Sequence, residues 1–212
     1  MCSGRVDMAF VLRAFANGAD GVFIGGCWLG ECHYVTEGNY DALSMMHLSR
    51  KVLEQVGVNP ERLRLEWIAG SEGMRYAEVM NDFGKKLKEM GPIGVGEGIS
   101  ADALKLKFQA VKKILPFLKL VERERLRVRF KTEEEYDEFY GSEEVNKLIS
   151  ELVADKLAIS QITTLLKRNS LSTRDISEML HLEPSDVARY LNSSSRQGLV
   201  KYDSGQKLYA IA

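Results

Sequence analysis

Two short apolar runs, each followed by a loop and an amphipathic helix, constrain this 212-residue chain most. Gly21-Val22-Phe23-Ile24-Gly25-Gly26 is apolar and β-branched between glycines, the pattern of a fully buried parallel strand. A loop with Cys27, Cys32 and His33 follows. A helix then runs from about Asn39 to Val56, its apolar stripe formed by Leu43, Met46, Leu53 and Val56. Gly57-Val58-Asn59-Pro60 breaks that helix. Leu63, Leu65, Trp67 and Ile68 mark a second strand, and Glu72 to Met90 a further helix closed by Gly91-Pro92. Upstream, Phe10, Val11, Phe15 and Ala19 fit a short helix stopped at Asn17-Gly18. The alternation predicts an α/β fold: a small doubly wound parallel-sheet domain with ligand loops at the carboxyl ends of its strands. Met1-Cys2 reads as the exit from a neighbouring strand.

Beyond this the chain changes character. Gly91 to Ser100 holds four glycines and reads as a linker. Ala101 to Lys131 carries ten Lys or Arg residues on a helical pattern interrupted or kinked at Pro116, and Thr132 to Asn146 carries seven acidic residues and no basic one. Such blocks are expected to be solvated helix faces that pair with each other, or a docking arm for a partner. From about Asn146, a helix is followed by Ser172 to Leu180, a turn at His181-Leu182-Glu183-Pro184, and a helix capped by Ser185. A hairpin through Asp203-Ser204-Gly205 completes a pattern that resembles a winged helix-turn-helix domain. The expected organisation is an α/β domain at 1–92, a charged helical linker at 93–146 and the winged-helix-like domain at 147–212.

Cysteine usage narrows the chemistry. The three cysteines all lie within the first 32 residues, and an odd number excludes a fully paired disulfide framework. Clustered thiols in such a chain point to an iron–sulfur cluster or zinc, against the alternative of buried small hydrophobes. Cys2, Cys27 and Cys32 are the candidate ligands. His33, beside Cys32, is the candidate for a fourth, with a polar supporting role as its alternative. Amides of Gly25, Gly26 and Gly30 are expected donors to the sulfurs, and Arg5 and His33 are expected to add positive charge. No nucleophile–base constellation occurs. Gly70-Ser71-Glu72-Gly73 lacks the lysine of a phosphate loop and reads as a helix cap.

Several stretches resemble one family: Met1-Cys2-Ser3-Gly4-Arg5-Val6-Asp7, Gly18-Ala19-Asp20-Gly21-Val22, Gly25-Gly26-Cys27, Gly30-Glu31-Cys32-His33-Tyr34, Gly38-Asn39-Tyr40 and Trp67-Ile68-Ala69-Gly70-Ser71-Glu72-Gly73. In this order they resemble the delta subunit of methyl-viologen-reducing hydrogenase, over about residues 1–92. The resemblance implies a [2Fe–2S] cluster and an electron-transfer role. Its implied partners are a hydrogenase, formate dehydrogenase or similar module and the flavin subunit of a heterodisulfide-reductase-type complex. Family members usually begin with a further strand and a loop bearing extra cysteines, so the resemblance implies an N-terminally shortened form, a cluster that takes another ligand, or a cluster that has been lost, with the fourth ligand unknown.

The expected function is therefore an electron-transfer iron–sulfur subunit of a multi-subunit oxidoreductase, with no substrate chemistry of its own. One alternative is a redox- or partner-sensing regulator that binds DNA through the winged helix; another is a non-redox scaffold. DNA is the lesser expectation because residues 151–212 carry eight basic against seven acidic side chains, whereas phosphate contacts call for a basic footprint. Apolar stretches too short for a membrane span, and Arg5 and Asp7 where a leader would be apolar, place the chain in the cytoplasm by expectation.

Overall fold

A computed structural model describes residues 2–212. The chain divides into two compact units, Met1–Lys105 with Leu115–Lys147, and Leu106–Ile114 with Leu148–Ala212.

The first unit is a mixed α/β layer. Helix α1 (Met8–Ala16) starts at Asp7, whose carboxylate accepts the Ala9 amide at 2.8 Å. It buries Met8, Val11, Leu12 and Phe15, whereas Phe10 faces solvent and Ala19 lies beyond its end. Strands β1 (Val22–Gly26) and β2 (Leu63–Trp67) pair in parallel, with Val22 opposite Leu63 and Gly26 opposite Trp67. Between them runs α2 (Asn39–Gln55), the most buried element, with Ala42, Leu43, Leu48, Val52 and Leu53 sealed from water. Helix α3 (Gly73–Met90) covers the Phe23 face of the sheet, its Tyr76 and Phe83 rings each 6.2 Å from Phe23.

The sheet is small. Among the described residues it has these two strands, and Cys2 is extended backbone entering a single 3₁₀ turn, Ser3–Arg5, rather than the end of a third. A two-stranded sheet cannot bury β1 on all sides, which is why Gly25 is exposed and Phe23 half-buried where a fully buried strand was expected.

The glycine-rich stretch after α3 is not a free tether. Glu97 pairs with the fully buried Arg62 at 2.6 Å, and its second oxygen accepts the Gly94 amide at 2.8 Å. Helix α4 (Ala101–Val121) then starts from the Ser100 cap with Pro116 in its interior, and α5 (Glu133–Gly141) starts from a Thr132–Glu135 capping box. The helix α6 (Glu143–Ile149) follows.

The charged blocks pair with the α/β layer more than with each other. Lys119 binds Asp7, while Arg127 and Arg129 face Glu37 and Asp41. From the acidic block, Glu133 accepts the Trp67 indole N–H at 2.9 Å.

His47 of α2 is stacked on Tyr140 with ring centroids 4.8 Å apart and its Nε2 3.5 Å from Asp137. Burial depresses His47 to about 4, against the opposing pull of Asp137. The unfolded chain therefore binds a proton that the folded one refuses between pH 6.5 and about 4. Stability from this site is complete above pH 6.5 and is lost as the pH falls through that window, by about 3 kcal/mol. Replacing His47 by Phe, which keeps a ring on Tyr140, is expected to flatten the acid side of the stability profile in urea melts between pH 7 and 4. An unchanged profile would show that His47 does not carry it.

In the second unit, α7 (Asp155–Leu166), α8 (Thr173–Leu180), α9 (Pro184–Arg196) and the antiparallel hairpin β3 (Val200–Asp203) and β4 (Leu208–Ile211) enclose a separate core. Ile162, Ile176, Val187, Leu191 and Val200 form its centre. Ser172 and Asp175 cap α8 reciprocally, and His181 ends it in left-handed backbone. The start of α9 differs from the expected Ser185 cap: Glu183 holds the cap position without a side-chain bond, and Pro184 follows it with its φ already set for a helix. Leu171 bridges to Tyr209 and ties the chain before α8 to the hairpin.

Candidate functional site

The site forms where both strands end. β1 stops at Gly26 and passes directly to Cys27, while β2 stops beside it at Trp67, and the Ile68 amide donates to the Gly26 carbonyl at 2.8 Å. Parallel strands thus deliver two loops to one edge, as expected for an α/β sheet. A single carboxylate joins those loops. Glu72 Oε2 accepts the Trp28 indole N–H at 2.8 Å and the Ala69 amide at 2.6 Å. Arg75 lies over the Trp28 ring, 4.9 Å from its centroid, and donates to the Trp67 carbonyl.

The start of α2 fixes the cysteine loop from the other side. Asn39 is fully buried, and its amide nitrogen donates to the carbonyls of Cys27 at 2.9 Å and Trp28 at 2.8 Å. The backbone amides of Asn39 and Tyr34 reach the Cys32 sulfur. These donors to Cys32 come in addition to the Gly25, Gly26 and Gly30 amides that the sequence points to.

The three thiols converge on Cys32. Cys32 is buried, Cys2 half-buried and Cys27 exposed. The Cys2 and Cys32 sulfurs are 3.8 Å apart, and the Cys27 thiol also interacts with Cys32. Two thiolates on one tetrahedral metal, with bonds of about 2.3 Å, would lie about 3.8 Å apart. Burial pushes the Cys32 thiol up, but the Asn39 and Tyr34 amides and the two neighbouring thiols outweigh it, and the net effect is a lowered pKa. The shift is toward the thiolate, the form that ligates metal. Among the described residues no three His, Cys, Asp or Glu side chains close around a single ion.

Two glycines that the cysteine spacing does not reveal permit this approach. Gly38 has φ +63°, and a β-carbon there would sit 2.6 Å from the Cys32 sulfur. A β-carbon on Gly4 would fall 2.3 Å from the Gly38 carbonyl oxygen. The turn that carries Cys2 therefore lies directly against the residue that carries Cys32's loop into α2. Gly38→Ala is expected to destabilise the unit by about 2 kcal/mol, the combined cost of positive φ and of a displaced sulfur. Thermal melts and metal content check it; unchanged values in both would contradict this packing. The sequence signals were the Gly-Asn pair opening α2 and the glycine two residues after Cys2.

His33 is exposed, its ring edge-on to Tyr34 at 5.3 Å. Arg5 is also exposed and lines a cleft of about 490 Å³ with Asp7, Asp41, Lys119, Glu122 and Arg127. Burial, together with Asp7 and Asp41, raises the Glu122 carboxyl above its ordinary value. Ser3 Oγ and Asn39 Oδ1, which flank the thiols in sequence or in space, are buried without a hydrogen-bond partner.

Comparison with known proteins bears on what this site is. The family model described as methyl-viologen-reducing hydrogenase, delta subunit, matches residues 1–91. Over 97 residues the chain is 46% identical to the vhc iron-sulfur subunit of the F420-non-reducing hydrogenase of Methanococcus voltae, covering 46% of this chain and 67% of that relative. This chain belongs to the methyl-viologen-reducing hydrogenase delta subunit family. It is also 55% identical over 91 residues to the iron-sulfur subunit of the F420-non-reducing hydrogenase of Archaeoglobus profundus, covering 43% of this chain and 66% of that protein. A further relative belongs to the ferredoxin:CoB-CoM heterodisulfide reductase of Methanosarcina mazei. It is 45% identical over 94 residues that make up 44% of this chain and 12% of the relative. The chain thus spans slightly under two thirds of the Archaeoglobus protein and a small part of the reductase polypeptide. All three cysteines, with Gly4, Gly38, Asn39 and Glu72, fall inside the delta-subunit match, and the second unit falls outside it.

Proposed function

We propose that Cys2, Cys27 and Cys32 hold an iron–sulfur cluster of the [2Fe–2S] type and that this chain is an electron-transfer component of a multi-subunit oxidoreductase. The observation that carries the proposal is the convergence of the three thiols on Cys32, with Cys2 3.8 Å away. Thiolate ligands suit an iron–sulfur cluster, and the names of the relatives, iron-sulfur subunits, favour it over zinc. A bound cluster would supply single-electron transfer. The protein's part is to favour ionisation of Cys32 through the Asn39 and Tyr34 amides, and to fix both strand-end loops through Asn39 and Glu72. The Ser3 hydroxyl, next to Cys2 and unpartnered, is a donor left over for a sulfur. The fourth position belongs to a donor beyond these three thiols; exposed His33 is the candidate within this chain.

We propose as partners, in the cytoplasm, a hydrogenase or dehydrogenase module and the flavin subunit of a heterodisulfide-reductase-type complex; the relatives' names support a hydrogenase and a heterodisulfide reductase. Among the described residues no helix is long and apolar enough to cross a membrane. We take the second unit to be a winged helix that docks onto protein. Its α9 does not favour base readout, since Arg189 is held by Asp155 at 3.2 Å and Asp186 at 3.3 Å rather than projecting free.

An anaerobic potentiometric titration of the full chain, followed by EPR, tests the electron-transfer role. A reversible one-electron wave is expected. Absence of any redox transition in the iron-loaded protein would overturn it.

A further inference from the structure

Helix α4 and the end of α7 build a second site within the second unit, outside the delta-subunit match and unconnected with the thiols. Gln109, Lys112 and Lys113 of α4, with Thr164, Lys167 and Arg168 at the end of α7, line an open cavity of about 490 Å³. Four of these six side chains are cationic and none is acidic.

Five carboxylates of the unit have partners away from this lining. Asp155 and Asp186 bind Arg189, Glu178 binds Arg174, Asp175 caps α8, and Asp203 closes the hairpin turn. Cations at the end of α7 offset the carbonyls of its last turn, which accounts for Lys167 and Arg168. It does not account for Lys112 and Lys113, which come from the interior of α4.

The lining is also partly ordered. Lys113 donates to the buried Thr164 hydroxyl, and Arg168 reaches the Gln109 carbonyl oxygen. Burial and the neighbouring Lys167 both lower the Lys113 ammonium pKa, a repulsion that an anion in the cavity would relieve.

We propose that Lys112, Lys113, Lys167 and Arg168 form a binding site for contiguous phosphate groups. A carboxylate carries one negative charge, whereas a terminal phosphate carries about −1.5 to −2. Adjacent phosphates therefore match four cations in so small a cavity where single carboxylates would not. Lysines act there as point charges and arginine as a planar fork, both suited to phosphate oxygens. The cavity lining has no aromatic ring, so the site recognises phosphate and does not stack a base.

Calorimetry of the full chain at low salt with tripolyphosphate, and fluorescence anisotropy with a random-sequence DNA duplex, form the two arms of the test. Binding of tripolyphosphate alone identifies a free polyphosphate source. Binding of the duplex as well, with log K falling against log salt by about 0.9 for each phosphate neutralised, identifies a nucleic-acid backbone. Either result supports the site if Lys112→Gln with Lys113→Gln weakens binding about tenfold, as loss of two close charges predicts. The second pair, Lys167→Gln with Arg168→Gln, should act in the same direction. The melting temperature should hold in the Lys167→Gln, Arg168→Gln variant, whose side chains are exposed, and fall only slightly in the Lys112→Gln, Lys113→Gln variant, which loses the Lys113 bond to Thr164. No binding in either arm overturns the proposal, as does binding that neither double variant weakens. Equal competition by a glutamate peptide of matched charge also overturns it, in favour of an acidic protein partner.

Discussion

Cys32→Ser is expected to abolish iron and acid-labile sulfide binding altogether, while the chain remains folded. Cys32 is the thiol on which the others converge, the buried one, and the one that receives the Asn39 and Tyr34 amides. A serine hydroxyl fits the same space and can accept from the same amides, so the fold is expected to survive the change. As an alkoxide precursor it is a far poorer ligand for iron than a thiolate. Cys27, exposed at the end of β1, is expected to be less severe: Cys27→Ser retains part of the iron with an altered EPR line shape. Reconstitution of both variants beside the parent, with circular dichroism to confirm folding, separates these outcomes. A Cys32→Ser protein that keeps a full complement of iron would place the ligand elsewhere.

The largest effect on folding is expected at Arg62. Its guanidinium is fully buried and reaches Glu97 at 2.6 and 3.3 Å, the Asp20 carbonyl at 3.0 Å and the Met90 carbonyl at 3.4 Å. It thus closes three separate stretches of backbone around one charge pair. Arg62→Leu leaves the Glu97 carboxylate, with only 9% of its side chain exposed, facing the Asn59 and Gly94 amides alone. Breaking one side of a buried pair costs about 3–5 kcal/mol. Removing both charges, Arg62→Leu with Glu97→Leu, should recover part of that loss because no unpaired charge remains.

The pair also imposes a pH dependence. Burial raises Glu97, but Arg62 and the two amides outweigh it and hold the carboxyl below its usual range. The folded pKa is therefore depressed, and the stability is present above the unfolded value near 4.5 and lost as pH falls through the folded one. Urea denaturation of the two variants at pH 7 checks the first claim. A loss below about 1 kcal/mol for Arg62→Leu would contradict it.

Much of this was legible in the sequence, and what was not is physically non-local. Gly21 to Gly26 marks β1 because a β-branched run between glycines has few other ways to be buried, and Asn39–Gln55 follows from its apolar stripe. The cysteine spacing brings Cys27 and Cys32 into one loop. What periodicity cannot show is which loops touch. Gly4 against Gly38, Asn39 on the Cys27 carbonyl and Glu72 on Trp28 are contacts between distant positions that depend on the sheet bringing two loops to one edge. The same holds for Arg62 and Glu97, 35 residues apart, which turn a glycine-rich stretch that reads as a linker into packed structure. Charge runs mislead for a related reason: composition gives the sign of a block, but Arg127 and Arg129 find Glu37 and Asp41 only through the fold.

The most direct test of the central claim is an iron and acid-labile sulfide count on the full chain, purified and reconstituted without oxygen. It should be paired with EPR of the reduced protein and repeated for the Cys2, Cys27 and Cys32 serine variants. About two irons and two sulfides per chain, with a signal lost in Cys32→Ser, is the result expected of a [2Fe–2S] centre. A folded chain that takes up no iron, or one whose iron is indifferent to all three cysteines, would contradict it.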